Sequence, residues 1–126
     1  DEHSKTLKKH GVEPSLLMTW AYKDKPEMTE GLASAYITAG NRNGIMVFPV
    51  GLAFQKSQMD NPEIELFTPD KRHPSKAGTY LMAAVVYASI YKVSPIGNSY
   101  DYGLGQDIQS RLQETAWETL SYYKSN

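Results

Sequence analysis

The sequence predicts an α/β fold in which a parallel sheet is covered by helices on both faces. Two unbroken apolar stretches, residues 15–22 and residues 45–50, have the composition of buried strands, and a helical segment separates them. Strands joined by a helical crossover lie parallel in one sheet. Because two strands are too few for such a sheet, we expect residues 1–126 to be a single unit that is part of a larger α/β domain.

The first half of the chain alternates helix and strand. Residues 1–10 carry helix-compatible charges and end in basic residues, directly before Gly11, where a helix C-terminus favours glycine. Residues 28–40 place apolar side chains on one helical face between the two predicted strands. The predicted order of this half is therefore α, β, α, β.

The second half begins with a long connection. Residues 51–72 contain two prolines and several acidic residues, which predicts an irregular segment, and so long a connection is usually functional. A strong helix is predicted over residues 76–91, with Pro74 placed to open it. A loop rich in Gly and Tyr then leads to an amphipathic helix over residues 106–123.

Composition excludes several classes of function. The formal net charge of −1 gives no bulk electrostatic reason to bind nucleic acid or an anionic membrane. The absence of cysteine removes disulfides, thiolate nucleophiles and cysteine-ligated metal sites. The longest apolar run, near residues 81–90, is too short to span a membrane. No cofactor is implied.

Ligands of open α/β sheets bind beyond the C-terminal ends of the strands. Trp20 and Tyr22 fall at the end of the first predicted strand, where they either line a pocket for an acyl or sugar group or close the sheet edge. The connection after the second strand leads to Asp70 and His73. An Asp three residues before a His can hold one ring nitrogen and leave the other free to accept a proton. By itself, this spacing is common.

Residues 66–91, LFTPDKRHPSKAGTYLMAAVVYASIY, resemble the last conserved block of the SGNH/GDSL hydrolases. Further similarity lies in PVGLAF at residues 49–54, LLMTWAY at residues 16–22 and LQETAWETLSYY at residues 112–123. The resemblance implies a flavodoxin-like three-layer α/β/α sandwich, of which this chain is the C-terminal part. It also implies that His73 is the general base and Asp70 its orienting acid, in a Ser-His-Asp triad that cleaves acyl or acetyl esters.

The chain departs from this family pattern in four places. It contains neither the Gly-Asp-Ser segment of the nucleophile nor the family's two oxyanion blocks, so it supplies only His73 and Asp70. We therefore expect the isolated chain to have little or no esterase activity. Lys71 stands where many members have glycine, which a negative φ would accommodate.

Other polar side chains have plainer interpretations. A replacement nucleophile would have to be one of three serines, and a structural role is favoured because the second suits the first turn of a helix. They are Ser57, Ser75 and Ser94. Five side chains offer oxygen or nitrogen to a hard cation but lack a regular ligand spacing, so a solvated acidic loop is favoured: Asp60, Glu63, Glu65, Asp70 and His73. No metal site is predicted.

Two functions from different classes follow. The first is an SGNH/GDSL-type esterase acting on a small-molecule ester, with an acylated sugar among the candidate substrates. The second is a non-catalytic binding or assembly module on a hydrolase-derived scaffold. The esterase would take its Ser-bearing half from an upstream part of the same gene product or from a second polypeptide. The binding or assembly module would expose sheet edges that invite pairing with another chain or self-association. The compartment stays open, although the family is often exported, which would mean a periplasmic or secreted protein.

Overall fold

The computed structural model describes residues 1–125, in which helices predominate. In chain order its elements are α1 (Glu2–Lys9), β1 (Ser15–Leu17), α2 (Met28–Asn43), β2 (Met46–Phe48), α3 (Val50–Asp60), α4 (Lys76–Tyr91) and α5 (Gln106–Ser125). Helices hold about 56% of the residues and strands about 6%.

The two strands pair in parallel, with Leu16 of β1 opposite Val47 of β2. Helix α2 is the crossover between them. A Cβ added to Gly40 would lie 2.5 Å from the Val47 side chain, so this glycine lets α2 approach the sheet closely. The helix ends at Gly44, which has φ +58, a conformation that glycine adopts without steric cost. The predicted parallel pairing is thus confirmed.

The main core lies between α3, α4 and α5. None of its buried members belongs to a strand of the described chain. They are Val50, Ala53, Phe54, Ile64, Leu66, Phe67, Ala77, Tyr80, Leu81, Ala84, Val85, Leu112 and Ala116. Most of the apolar burial that stabilises the fold is therefore helix against helix.

The prediction of a flavodoxin-like three-layer α/β/α sandwich is wrong. Residues 1–125 form a mostly helical fold with a two-stranded sheet. The physical reason is where the apolar side chains lie, because α3, α4 and α5 bury theirs mainly against one another, and the sheet is too small to separate two helical layers. The apolar stretches taken as long strands contribute only three residues each to the sheet.

Element boundaries agree best where capping signals are strong. The helix predicted over residues 76–91 is observed with those bounds. Its N-cap is Ser75, whose Oγ accepts from the Gly78 amide at 3.2 Å, so Pro74 precedes the helix rather than opening it. Part of the segment predicted as irregular, residues 51–72, is helix α3. Both prolines of that segment lie after Asp60, so neither interrupts the helix.

Candidate functional site

Asp70 and His73 lie in a tight turn between α3 and α4, which we call the site turn (residues 68–73). Residues on either side of it pair in antiparallel fashion, as Phe67 bridges Pro74. The Thr68 amide donates to the His73 carbonyl at 2.9 Å, and the Lys71 amide donates back to the Thr68 carbonyl at 2.9 Å. These bonds close the turn at both ends and present its side chains to solvent.

One oxygen of the Asp70 carboxylate organises the turn. Its Oδ1 accepts from the Thr68 hydroxyl at 2.7 Å, from the Arg72 amide at 2.9 Å and from the His73 amide at 3.0 Å. The hydrogen bond from the His73 ring, followed by these three donors, holds the pKa of Asp70 well below its ordinary value. Asp70 is therefore a carboxylate at any pH near neutrality.

The other oxygen of Asp70 holds the His73 ring. Asp70 Oδ2 contacts His73 Nδ1, while the His73 side chain is 78% exposed. Because an ionised carboxylate only accepts, Nδ1 carries the proton of a neutral imidazole. Nε2 is then an acceptor, and no side chain among residues 1–125 occupies it. The pair can thus accept a proton at Nε2 and stabilise the resulting charge through Asp70.

The site turn is attached to the C-terminal end of β1 through Trp20. The indole N–H donates to the Arg72 carbonyl at 2.8 Å. The indole ring stacks on buried Phe54 with a centroid separation of 4.7 Å, and Phe54 meets Phe67 edge to face. Trp20 therefore positions the site turn on the core, beyond the end of the strand where the sequence predicts the site.

The predicted substrate-binding residue Tyr22 also lies beside the site turn. The Arg72 guanidinium sits over its ring, 4.9 Å from the centroid. Trp20 thus contacts the backbone carbonyl of Arg72, and Tyr22 contacts its guanidinium. Contact with a substrate stays a prediction for both.

Two residues of the site turn, Lys71 and Thr68, have features that were not predicted from the sequence. Lys71 has φ +63, so the condition under which lysine would replace the family's glycine without cost, a negative φ, is not met. The turn that closes on the Thr68 carbonyl and aims the next two amides at Asp70 requires the left-handed conformation there. Thr68 itself is not among the predicted residues, although a Thr-Pro pair before an Asp is a signal for such a turn.

None of the three serines considered as nucleophiles contacts the His73 ring. The Ser75 hydroxyl donates to the Glu65 carbonyl at 2.7 Å while it caps α4. Ser94 Oγ accepts from the Ile96 amide. Ser57 is fully buried, and its hydroxyl has no hydrogen-bond partner in the described chain.

The acidic residues near the turn are paired with cations. Glu65 contacts Lys23, which lowers the pKa of Glu65, and Glu63 contacts Arg111. Within residues 1–125, no cluster of three or more His, Asp or Glu side chains is arranged to hold a metal ion. None of the described helices has the length and apolar character needed to cross a membrane.

Comparison with known proteins identifies the fold and leaves the chemistry open. No protein-family model and no curated protein matches the chain. The chain is similar to the crystal structure, at 1.50 Å, of a DUF4886 family protein from Bacteroides uniformis ATCC 8492. The TM-score is 0.84 at 19% sequence identity, over 96% of this chain and 54% of that one. The chain thus spans about half the length of that protein and shares its fold over this part.

Proposed function

We propose that this chain supplies the acid–base pair of a serine ester hydrolase of the SGNH/GDSL type. The observation that carries the proposal is the His73 ring, held at Nδ1 by an ionised Asp70 and exposed to solvent on its other side. The resemblance of residues 66–91 to the family's last conserved block supports the same assignment.

In the proposed reaction, a serine from outside these 126 residues attacks the carbonyl carbon of an acyl ester. Its hydroxyl proton passes to His73 Nε2, and Asp70 stabilises the imidazolium. The tetrahedral intermediate then collapses and expels the alcohol, which takes the proton from His73. Water, activated by His73 in turn, releases the carboxylic acid and restores the serine. A general base of this kind contributes about 10²–10⁴-fold to the rate.

The position of the pair supports this role. Trp20 fixes the Arg72 carbonyl from the end of β1, and the Arg72 amide in turn donates to Asp70. The ring that must move a proton is therefore oriented by the core, and its accepting nitrogen faces outward. A separate segment that carries a serine can reach that nitrogen without displacing any residue of the site turn.

A fluorophosphonate probe tests the proposal, because it labels only serines that a base has activated. We expect no label on the isolated chain. We expect label on a serine of a Gly-Asp-Ser segment in the native material, identified by mass spectrometry as a longer chain or a second polypeptide. His73→Ala should abolish that label, whereas His10→Ala, which removes an exposed histidine of the N-terminal region, should leave it unchanged.

Two outcomes would contradict the proposal. Label or ester turnover in the isolated chain that disappears with His73→Ala would show that the nucleophile lies within these residues. Native material without any labelled serine would favour the second function, a binding or assembly module that retains the pair without the chemistry. The observation that favours this second function is that the chain contains no Gly-Asp-Ser segment.

A further inference from the structure

A second feature of the surface lies away from Asp70 and His73, along helix α4. It is a groove of about 340 Å³ between one face of α4 and the loop that follows it. Thr79, Ala83 and Tyr87 line the helical side, and Pro95, Tyr100 and Tyr102 line the loop side. This volume is within the range of small-molecule pockets.

The loop side of the groove, the aromatic loop (residues 95–105), is held rigidly from beneath. Gln113 of α5 is 2% exposed; its side chain accepts from the Gly97 amide at 3.0 Å and donates to the Asn98 carbonyl at 2.9 Å. The Tyr80 hydroxyl donates to the Tyr100 carbonyl at 2.9 Å. Because the Gln113 and Tyr80 side chains are buried and hydrogen-bonded, they hold the backbone of the loop in place.

The rings that the loop presents are nevertheless exposed. Tyr100 is 66% exposed and Tyr102 is 39% exposed. Tyr102 has φ +54, a left-handed conformation that is unfavourable for a residue with a side chain. Rigid support beneath exposed aromatic rings, with strain at one of them, is typical of a binding surface rather than of a solvated turn.

A cation lies beside the Tyr102 end of the groove, just outside the residues that line it. The Lys76 ammonium lies 5.2 Å from the centroid of the Tyr102 ring, and no carboxylate pairs with it in the described chain. Thr79 and Ala83 follow Lys76 on the same face of α4, so the groove runs from the charge toward Tyr87. At 1.5 Å per residue, Ala83 lies about 10 Å along the helix axis from Lys76.

We propose that this groove binds a linear alkyl carboxylate, with the carboxylate at Lys76 and the alkyl chain along Ala83 and Tyr87. The helical wall between the charge and Tyr87 is formed by a threonine and an alanine, which suits an alkyl chain better than a hydroxylated ring such as a sugar. The Tyr80 hydroxyl at its base is already engaged by Tyr100 and Gln113. The assignment does not depend on the proposed ester chemistry, because neither Asp70 nor His73 lines the groove.

The test is titration of the isotope-labelled chain with decanoate below its micelle concentration, followed by NMR. We expect saturable shifts at Ala83, Tyr87 and residues 97–102. Butyrate, which is too short to fill the groove, should produce no saturable shift, and decanol should bind more weakly than decanoate. Lys76→Met should weaken decanoate binding about three- to tenfold, as expected for loss of one exposed charge pair.

Two variants control the experiment. Ala83→Phe places a ring in the groove at a solvent-exposed position and should abolish binding without unfolding the chain. Lys9→Met removes an exposed lysine from α1 and should leave the affinity unchanged.

Three results would overturn the proposal. The first is no saturable shift with decanoate, or shifts centred on another surface. The second is equal affinity for decanol and decanoate together with no effect of Lys76→Met. The third is concentration-dependent self-association that perturbs the same residues without ligand, which would make this face a contact between copies of the chain.

Discussion

The site turn and the aromatic loop are both held by hydrogen bonds, but the group that holds them differs: an exposed carboxylate within the turn, and a buried amide beneath the loop. In the site turn, an Asp70 carboxylate that is 46% exposed accepts from three donors and holds the ring of His73. In the aromatic loop, the buried amide of Gln113 reaches up from α5 to backbone groups above it. A charged acceptor in contact with water responds to pH and salt, whereas a buried neutral amide responds to neither and is costly to remove. Substitutions in the site turn should therefore change stability in a pH-dependent way, whereas substitutions of the amide beneath the aromatic loop should cost more and not depend on pH.

The largest effect is expected from Gln113→Ala. The change removes the acceptor of the Gly97 amide and a donor to the Tyr80 hydroxyl, and it leaves a cavity where the buried Gln113 side chain packs. We expect the free energy of unfolding to fall by about 2–4 kcal/mol, from the lost hydrogen bonds and the cavity together. Urea denaturation followed by circular dichroism measures it.

Gln109→Ala is the matched control, one helical turn away on α5. Its amide donates at 2.6 Å to the Asn98 carbonyl, which Gln113 also contacts. We expect a loss of only about 1 kcal/mol, since that carbonyl keeps one donor. Equal losses for the two variants would mean that Gln113 supports the loop by packing alone.

A smaller, pH-dependent effect is expected from Asp70→Asn. The pKa of Asp70 is lowered in the folded chain, so the unfolded chain binds its proton first as the pH falls. The stabilisation is then fully present above the unfolded pKa of about 3.9 and is lost as the pH falls below it. The urea midpoints of the wild type and the variant should differ most above about pH 5 and converge in acid.

Thr68→Val sharpens this measurement because it keeps the carboxylate and removes one of its donors. Its stability should retain part of the acid dependence that Asp70→Asn abolishes. A gap between wild type and Asp70→Asn that stays constant from pH 7 to pH 2 would mean that the folded-state hydrogen bonds do not depend on the charge.

The sequence predicts the local parts of both surfaces better than the global fold. Spacing alone brings Asp70 to His73, and α4 begins at Lys76, where the sequence predicts its start. The predicted fold class is wrong because the strand-like composition of residues 15–22 and 45–50 does not reveal how few of those residues pair with a neighbouring strand. Apolar stretches that serve as connections between helices have the same composition as buried strands.

Long-range contacts account for what the sequence could not show. The bond from Trp20 to the Arg72 carbonyl joins residues 52 positions apart, and the support of Tyr80 by Gln113 joins residues 33 positions apart. Neither has a local signature. Tyr100 and Tyr102 are recognisable from the sequence as residues of a Gly-rich loop, but only the folded chain shows that Lys76 lies against Tyr102.

The smallest effect is expected at Lys71, where the backbone of the site turn is left-handed. Glycine adopts this conformation without the cost of about 1 kcal/mol that a Cβ imposes, but it also gives the unfolded chain more freedom, worth about 0.4–1 kcal/mol. We expect Lys71→Gly to stabilise the chain by a few tenths of a kcal/mol, measured against Lys71→Ala, which also removes the side chain but keeps the Cβ. Because Lys71 pairs with Asp24 only at 3.9 Å, loss of the side chain itself should matter little in either variant. If Lys71→Gly were less stable than Lys71→Ala, the backbone strain would be negligible, and the order of the site turn would rest on the Asp70 carboxylate alone.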